Sequence, residues 1–144
     1  MNLLLLYDDD FITPNRVVLN DRRFEHLCMV KKIRTGDINQ VGLLNGKIGQ
    51  AEVIRLEDHA VEFNVVTDTL PPDALDINLI LALPRPKMLK RILQTVSAMG
   101  VKQLQLINSA KVDKSYWQTP WLAPENINQH LLLGLEQAID TILP

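Results

Sequence analysis

Two adjacent prolines, Pro71 and Pro72, divide the chain into stretches of different hydrophobic rhythm, and this change of rhythm limits the available folds more than any other feature. Proline fixes φ and removes a backbone donor, so Thr69-Leu70-Pro71-Pro72-Asp73 reads as a stiff linker that excludes a helix. Before it, apolar residues come in short alternating runs. After it, they come in one near-continuous run and then at helical spacing. The sequence therefore predicts two units, residues 1–70 and 74–144.

The first unit reads as short strands broken by turns. Arg16-Val17-Val18-Leu19 is a strand ending at Asn20-Asp21. Residues 22–33 form a short helix, with Phe24, Leu27, Val30 and Ile33 at helical spacing. After the turn Thr35-Gly36-Asp37, residues 38–44 and 47–55 are strands joined by Asn45-Gly46, a strong tight-turn signal. Glu57-Asp58 turns the chain again. Val61, Phe63 and Val65 then alternate with polar residues, as a half-buried strand requires. Strands of this length and spacing suggest a small barrel, separate from the rest.

The second unit starts with Ile77–Leu83, apolar enough to be a strand covered on both faces. A helix follows from about Lys87 to Met99, with Met88, Leu89, Ile92, Leu93, Val96 and Met99 as its buried stripe and Gly100 as its C-terminal cap. Val101–Ile107 is the next strand, giving a strand–helix–strand unit that usually pairs its strands in parallel. A last helix starts near Pro124 and buries Ile127, Leu131, Leu135, Ala138 and Ile142. Two strands with unpaired outer edges make a poor free-standing sheet, so the second unit is expected to be incomplete. The whole is α+β followed by α/β.

The formal net charge is −2, which announces no nucleic-acid partner. Its distribution is more informative. Residues 1–70 carry eight Lys/Arg and eleven Asp/Glu. In the second half all seven bases fall between Arg85 and Lys114, where Asp113 is the only acid. Such a segment forms either a basic face suited to a polyanion or an ordinary solvated helix face. In a helix Lys87, Lys90, Arg91 and Gln94 lie at i, i+3, i+4 and i+7, opposite the apolar stripe. Arg85 precedes them at the end of a strand, where open α/β sheets bind their ligands. Each cation on a phosphate releases counterions, which favours RNA or DNA.

Other chemistry is sparse. GxGxxG, P-loop, HExxH and GxSxG patterns are absent. Cys28 is the only cysteine and reads as a small apolar packing residue. His26, His59 and His130 lack ligand spacing, and Asp8-Asp9-Asp10 reads as solvated, so no metal is expected. The opening Met1-Asn2-Leu3-Leu4-Leu5-Leu6 is too short and too acid-flanked for a signal peptide, and no run reaches a membrane span. A cytoplasmic protein without membrane contact is the expectation. Glu136-Gln137 reads either as plain surface or as a carboxylate and amide that bind a base or order a cofactor pocket.

Taken in order, these residues resemble the E-type small-subunit rRNA uridine-N3 methyltransferases, which are SPOUT-class knotted enzymes. In the first half the likeness lies in His26-Leu27, Val30, Arg34, Gly36-Asp37, Asn45-Gly46 and Ala51-Glu52-Val53. In the second it lies in Leu81-Ala82-Leu83-Pro84, Lys87-Met88, Gln94, Gly100-Val101 and Glu136-Gln137. Departures mark a divergent branch. Lys32-Ile33-Arg34 stands for Val-Leu-Arg, Thr95 for a Lys, Ala98-Met99 for Glu-Leu, and Asp140-Thr141 for Gly-Arg.

The resemblance implies a PUA-like RNA-binding barrel over residues 1–70 and, over 74–144, the first part of an α/β domain with a trefoil knot. It implies a homodimer that uses S-adenosylmethionine to methylate a uridine N3 in 16S rRNA. The family's Gly-Pro-Glu-Gly-Gly loop and Leu-Gly-x-Arg-Ile-Leu-Arg segment do not occur in these 144 residues, so the knot and the catalytic residues are expected elsewhere. These residues alone are expected neither to bind the cofactor tightly nor to methylate RNA. Arg34, Arg85, Lys87, Lys90 and Arg91 are the candidate RNA contacts. Gln94, Glu136 and Gln137 are the candidates for a base or cofactor pocket. The competing expectations are a non-catalytic RNA-binding or ribosome-associated module, and a non-RNA barrel joined to a regulatory α/β piece.

Overall fold

A computed structural model describes residues 1–144. Six strands form the first sheet: β1 (Leu4–Leu6), β2 (Phe11–Thr13), β3 (Arg16–Leu19), β4 (Ile38–Leu43), β5 (Ile48–Leu56) and β6 (Val61–Thr69). Their order is β1-β4-β5-β6-β3-β2, with β1 parallel to β4 and the other pairs antiparallel. The hydrogen-bonded ladder thus ends at β1 and β2, which do not pair with each other. The Asn45-Gly46 turn joins β4 to β5, with Asn45 left-handed at φ 57°. Alternation sends Val17, Leu19, Val41, Ala51, Val53, Val61, Phe63 and Val65 into one core, where Leu4 and Leu6 join them.

The helix expected over 22–33 is shorter and of two kinds. α1 (Arg22–His26) is capped by Asp21, which accepts from the Arg23 N–H at 2.8 Å, and it runs into a π-helical turn over Leu27–Lys31. The wider turn breaks the 3.6-residue spacing. Leu27 and Ile33 are buried, but Val30 is rotated outward and 66% exposed. Cys28 packs against the core.

Past the prolines, β7 (Leu75–Ala82) and β8 (Val101–Ile107) form a two-stranded parallel sheet joined through α2 (Pro86–Ala98). Pro86 opens α2, where its missing N–H costs nothing, and Gly100 follows the helix at φ 80°. Leu89, Leu93 and Val96 are buried as the stripe requires, whereas Met88 and Met99 are exposed. The expectation that β7 is covered on both faces fails. The helices gather on the side of Leu104 and Leu106, and Ile80, paired with Gln105 and facing away, is 58% exposed.

The last helix, α3 (Pro124–Ala138), ties the two sheets together. Leu131 meets Leu83, Leu89 and Leu93, while Leu135 meets Leu3, Leu5 and Ile48. This explains the four consecutive leucines at the start of the chain. Leu4 and Leu6 face the first core and Leu3 and Leu5 face α3, so β1 is apolar on both sides. The first sheet is therefore not free of the rest, as the alternation alone suggests. Ile142 is not part of the helix either. Ile139 turns left-handed at φ 58°, and the chain doubles back.

Candidate nucleic-acid interface

The basic segment lies at one edge of the second sheet. Ala82 and Ile107 are partners in the parallel register, so Pro84-Arg85 and Asn108-Ser109 leave the sheet side by side. Arg85 is the residue before α2, and its carbonyl accepts from the Met88 and Leu89 N–H groups at 2.8 and 3.0 Å. Arg85, Lys87 and Arg91 are exposed and form no ion pair, so three cations in and before the first turns of α2 face solvent.

The other half of the expected basic face is turned inward. Lys90 lies with its Nζ 3.0 Å from the centre of the Trp121 ring, a cation–π contact that uses its charge within the fold. Gln94 meets His130 Nδ1 at 3.3 Å, and the Trp121 and His130 rings lie 6.1 Å apart. Burial, assisted by the Lys90 charge, holds the His130 pKa below its ordinary value, and its Nε2 is buried without a partner. The cause is the close approach of α3. Ser97 Oγ donates to the Leu131 carbonyl at 2.7 Å, and a Cβ on Gly134 would stand 2.4 Å from the Gln94 carbonyl oxygen. Helical spacing alone places Lys87, Lys90, Arg91 and Gln94 together. The helix–helix contact splits them into a solvent pair and a packed pair.

Glu136 is no surface residue. It is 2% exposed, and its Oε1 accepts from Arg22 Nη2 at 2.7 Å. Its carbonyl accepts from the Asn2 and Leu3 N–H groups, both at 2.9 Å, so it clamps α3 to β1. Gln137 is exposed, and its carbonyl accepts from Asn2 Nδ2. Asp140 pairs with Lys102 at 2.6 Å, and Thr141 Oγ1 donates to the Gly46 carbonyl at 2.6 Å. The divergent Asp140-Thr141 pair thus holds the end of α3 to both sheets.

Arg34 stands on the first half, in the loop before β4, with its N–H donating to Asp37 Oδ2 at 2.8 Å. Lys31 and Lys32 beside it are also exposed, and neither is among the contacts expected from the sequence. Trp117 and Trp121 are not singled out there either, although two tryptophans directly following a basic segment are the available signal, and His130 reads there only as lacking ligand spacing. Asp10 is not merely solvated. It accepts two 2.7 Å bonds from Arg23, whose Nε and Nη2 also donate to Asp21 and whose Nη1 also donates to the Leu5 carbonyl. Burial alone would lower the Arg23 pKa, but the bonds to Asp10 and Asp21 outweigh it and keep the guanidinium charged.

Residues 71–144 match the family model for the RNA methyltransferase domain. The chain belongs to the RNA methyltransferase family. Among its relatives are proteins named small-subunit rRNA methyltransferase E. It is 29% identical to Ribosomal RNA small subunit methyltransferase E of Treponema pallidum over 146 residues, covering all of this chain and 55% of the relative. It is 27% identical to Ribosomal RNA small subunit methyltransferase E 1 of Borreliella burgdorferi, covering 60% of it. The chain thus spans little more than half the length of these relatives. Its fold matches the Neisseria gonorrhoeae small-subunit methyltransferase E, bound to S-adenosyl methionine, with a TM-score of 0.73 at 20% identity over 99% of this chain and 59% of that one. A Legionella pneumophila methyltransferase in complex with the cofactor SAM gives 0.63 at 16% identity, over all of this chain and 61% of that one.

The opening between the second sheet and α3, lined by Leu104, Leu106 and Ile127, has Lys102 as its one charged side chain, and Lys102 is committed to Asp140. The amide side chains of Gln103, Gln105 and Asn128 line the same opening.

Proposed function

We propose that these residues are the RNA-holding part of a cytoplasmic, S-adenosylmethionine-dependent methyltransferase acting on N3 of a uridine in 16S rRNA. In this reading residues 1–70 are a PUA-like domain, residues 74–144 begin a knotted catalytic domain, and the whole protein is a homodimer. The relatives named above support the methyltransferase reading. The observation that carries the RNA role is the placement of Arg85, Lys87 and Arg91, exposed and unpaired, at the carboxyl edge of the parallel strands. Arg34 is a further contact on the first half, while Lys90 acts through Trp121 rather than on phosphate directly. Gln94, Glu136 and Gln137 remain the candidates for a base or cofactor pocket, with Gln94 set against His130, Glu136 against Arg22, and the Gln137 side chain exposed.

A filter-binding salt series tests this. With three or four phosphates contacted, log K against log salt is expected to fall with a slope of about −2 to −4. Lys87→Ala with Arg91→Ala is expected to reduce that slope by about one to two units. Neither side chain is buried, so folding is expected to survive. Equal slopes and equal affinities would remove the RNA role of α2. A non-catalytic RNA-binding module shares this surface. Transfer of a labelled methyl group to 16S rRNA by the full-length protein distinguishes the two.

A further inference from the structure

The segment between β8 and α3 carries both tryptophans of the chain, and the fold uses them differently. Two 3₁₀ turns, Lys114–Gln118 and Pro120–Leu122, hold them at defined positions. Asp113 caps the first turn, accepting from the Ser115 N–H at 2.9 Å and its hydroxyl at 2.7 Å, and these bonds hold the Asp113 carboxyl below its ordinary pKa. Thr119 caps the second through the Trp121 N–H. Trp121 is turned inward and its face is taken by Lys90. Trp117 is 40% exposed, and neither an aromatic ring nor a cation stacks on it.

Trp117 is nevertheless anchored. Its indole N–H donates to Asn108 Oδ1 at 3.3 Å, and Asn108 directly follows β8. The single polar atom of the ring is thus satisfied at its edge, and the π-face is left open at the carboxyl edge of the sheet. Lys111 and Lys114, both exposed and without ion pairs, precede it closely in the chain. Arg85 leaves the neighbouring strand. An open aromatic face amid unpaired cations is the combination that holds unpaired bases: cations track the phosphates, and the ring takes a base.

We propose that Trp117 is a stacking platform for an unpaired RNA base, with Lys111 and Lys114 on the adjoining phosphates. This rests on the RNA reading above and deepens it by specifying single-stranded rather than duplex RNA. Duplex bases are already stacked on their neighbours and offer no free face, so a protein that stacks a base must meet it unpaired.

The test uses the chain with a short oligouridine and, separately, an RNA duplex of the same length. Oligouridine is expected to quench tryptophan emission and to bind more tightly than the duplex. Trp117→Ala is expected to abolish the quenching, with Trp121 still present as an internal reference, and to weaken oligouridine binding about tenfold, within the range for loss of one stacked base. Its salt slope is expected to stay unchanged, because no phosphate contact is lost. Trp117→Phe is expected to recover most of the affinity, and Trp117→Leu, which keeps apolar bulk without the π-face, is not. If the chain binds RNA with a salt-dependent slope but Trp117→Ala binds equally well, or Leu rescues as well as Phe, or the duplex binds as tightly, the stacking role falls and the RNA reading stands. If the unaltered chain binds neither RNA, both fall together.

Discussion

The two sheets treat charge in opposite ways. Around the first, Arg23 is 4% exposed and its guanidinium is enclosed by Asp10, Asp21 and the Leu5 carbonyl, with the Tyr7 ring 4.8 Å away. Burial also raises the Tyr7 pKa, against the Arg23 charge. At the edge of the second sheet, Arg85, Lys87, Arg91, Lys111 and Lys114 face solvent without acidic partners. A buried charge must be fully paired to be tolerated, whereas an unpaired charge is stable only where water or a ligand can reach it. The first region therefore uses charge to fix the fold, and the second keeps it available for binding.

The sharpest way to break this contrast is to remove the buried cation. Arg23→Ala strips Asp10 and the Leu5 carbonyl of their guanidinium bonds, leaving the Asp10 carboxylate only the Tyr7 N–H, and is expected to cost about 3–5 kcal/mol in urea denaturation. A loss below 1 kcal/mol would mean that the network is as dispensable as a surface ion pair. The linked pH dependence has a definite sign. Burial tends to raise the Asp21 pKa, but its bonds to Arg23 prevail and lower it below 3.8. Its stabilising effect is then present above the unfolded carboxylate pKa and is lost as pH falls through the lower folded value.

The next largest effect concerns the joint between the regions. Gly134→Ala places a methyl against the Gln94 carbonyl and Ser97. The substitution raises helix propensity, yet overpacking is expected to prevail and destabilise by about 1–3 kcal/mol. Calorimetry showing a raised Tm instead would mean that α2 and α3 separate easily. Glu136→Gln tests the other side of the same helix. Arg22 is half exposed, so the screened pair is expected to contribute only about 1 kcal/mol. A loss as large as that of Arg23→Ala would show that the joint, not the first core, dominates stability.

The smallest effect is at His130. Its folded pKa lies below the ordinary 6.5, so the neutral ring supports the fold above that value and stability erodes as pH drops below it toward the folded pKa. His130→Gln is expected to flatten the stability profile in that window, measured by denaturation at a series of pH values. An unchanged profile would remove His130 as a titrating part of the packed pair side.

Much of this organisation is local and was legible in the residues. Asn45-Gly46 makes a turn because Asn tolerates the left-handed region, and Pro124 and Pro86 open helices because a first-turn residue needs no N–H donor. The alternation of Val61, Phe63 and Val65 fixes which face of β6 is buried. These follow from rules that act within a few residues. The burial of Glu136, the withdrawal of Lys90 and Gln94 from solvent, and the two-sided burial of β1 do not. Each depends on where α3 lies, and α3 is placed by contacts such as Arg22 to Glu136, separated by 114 residues in the chain. Helical spacing assigns residues to a face of their own helix, but only the packing of one helix on another decides whether that face meets water, a ring or a ligand.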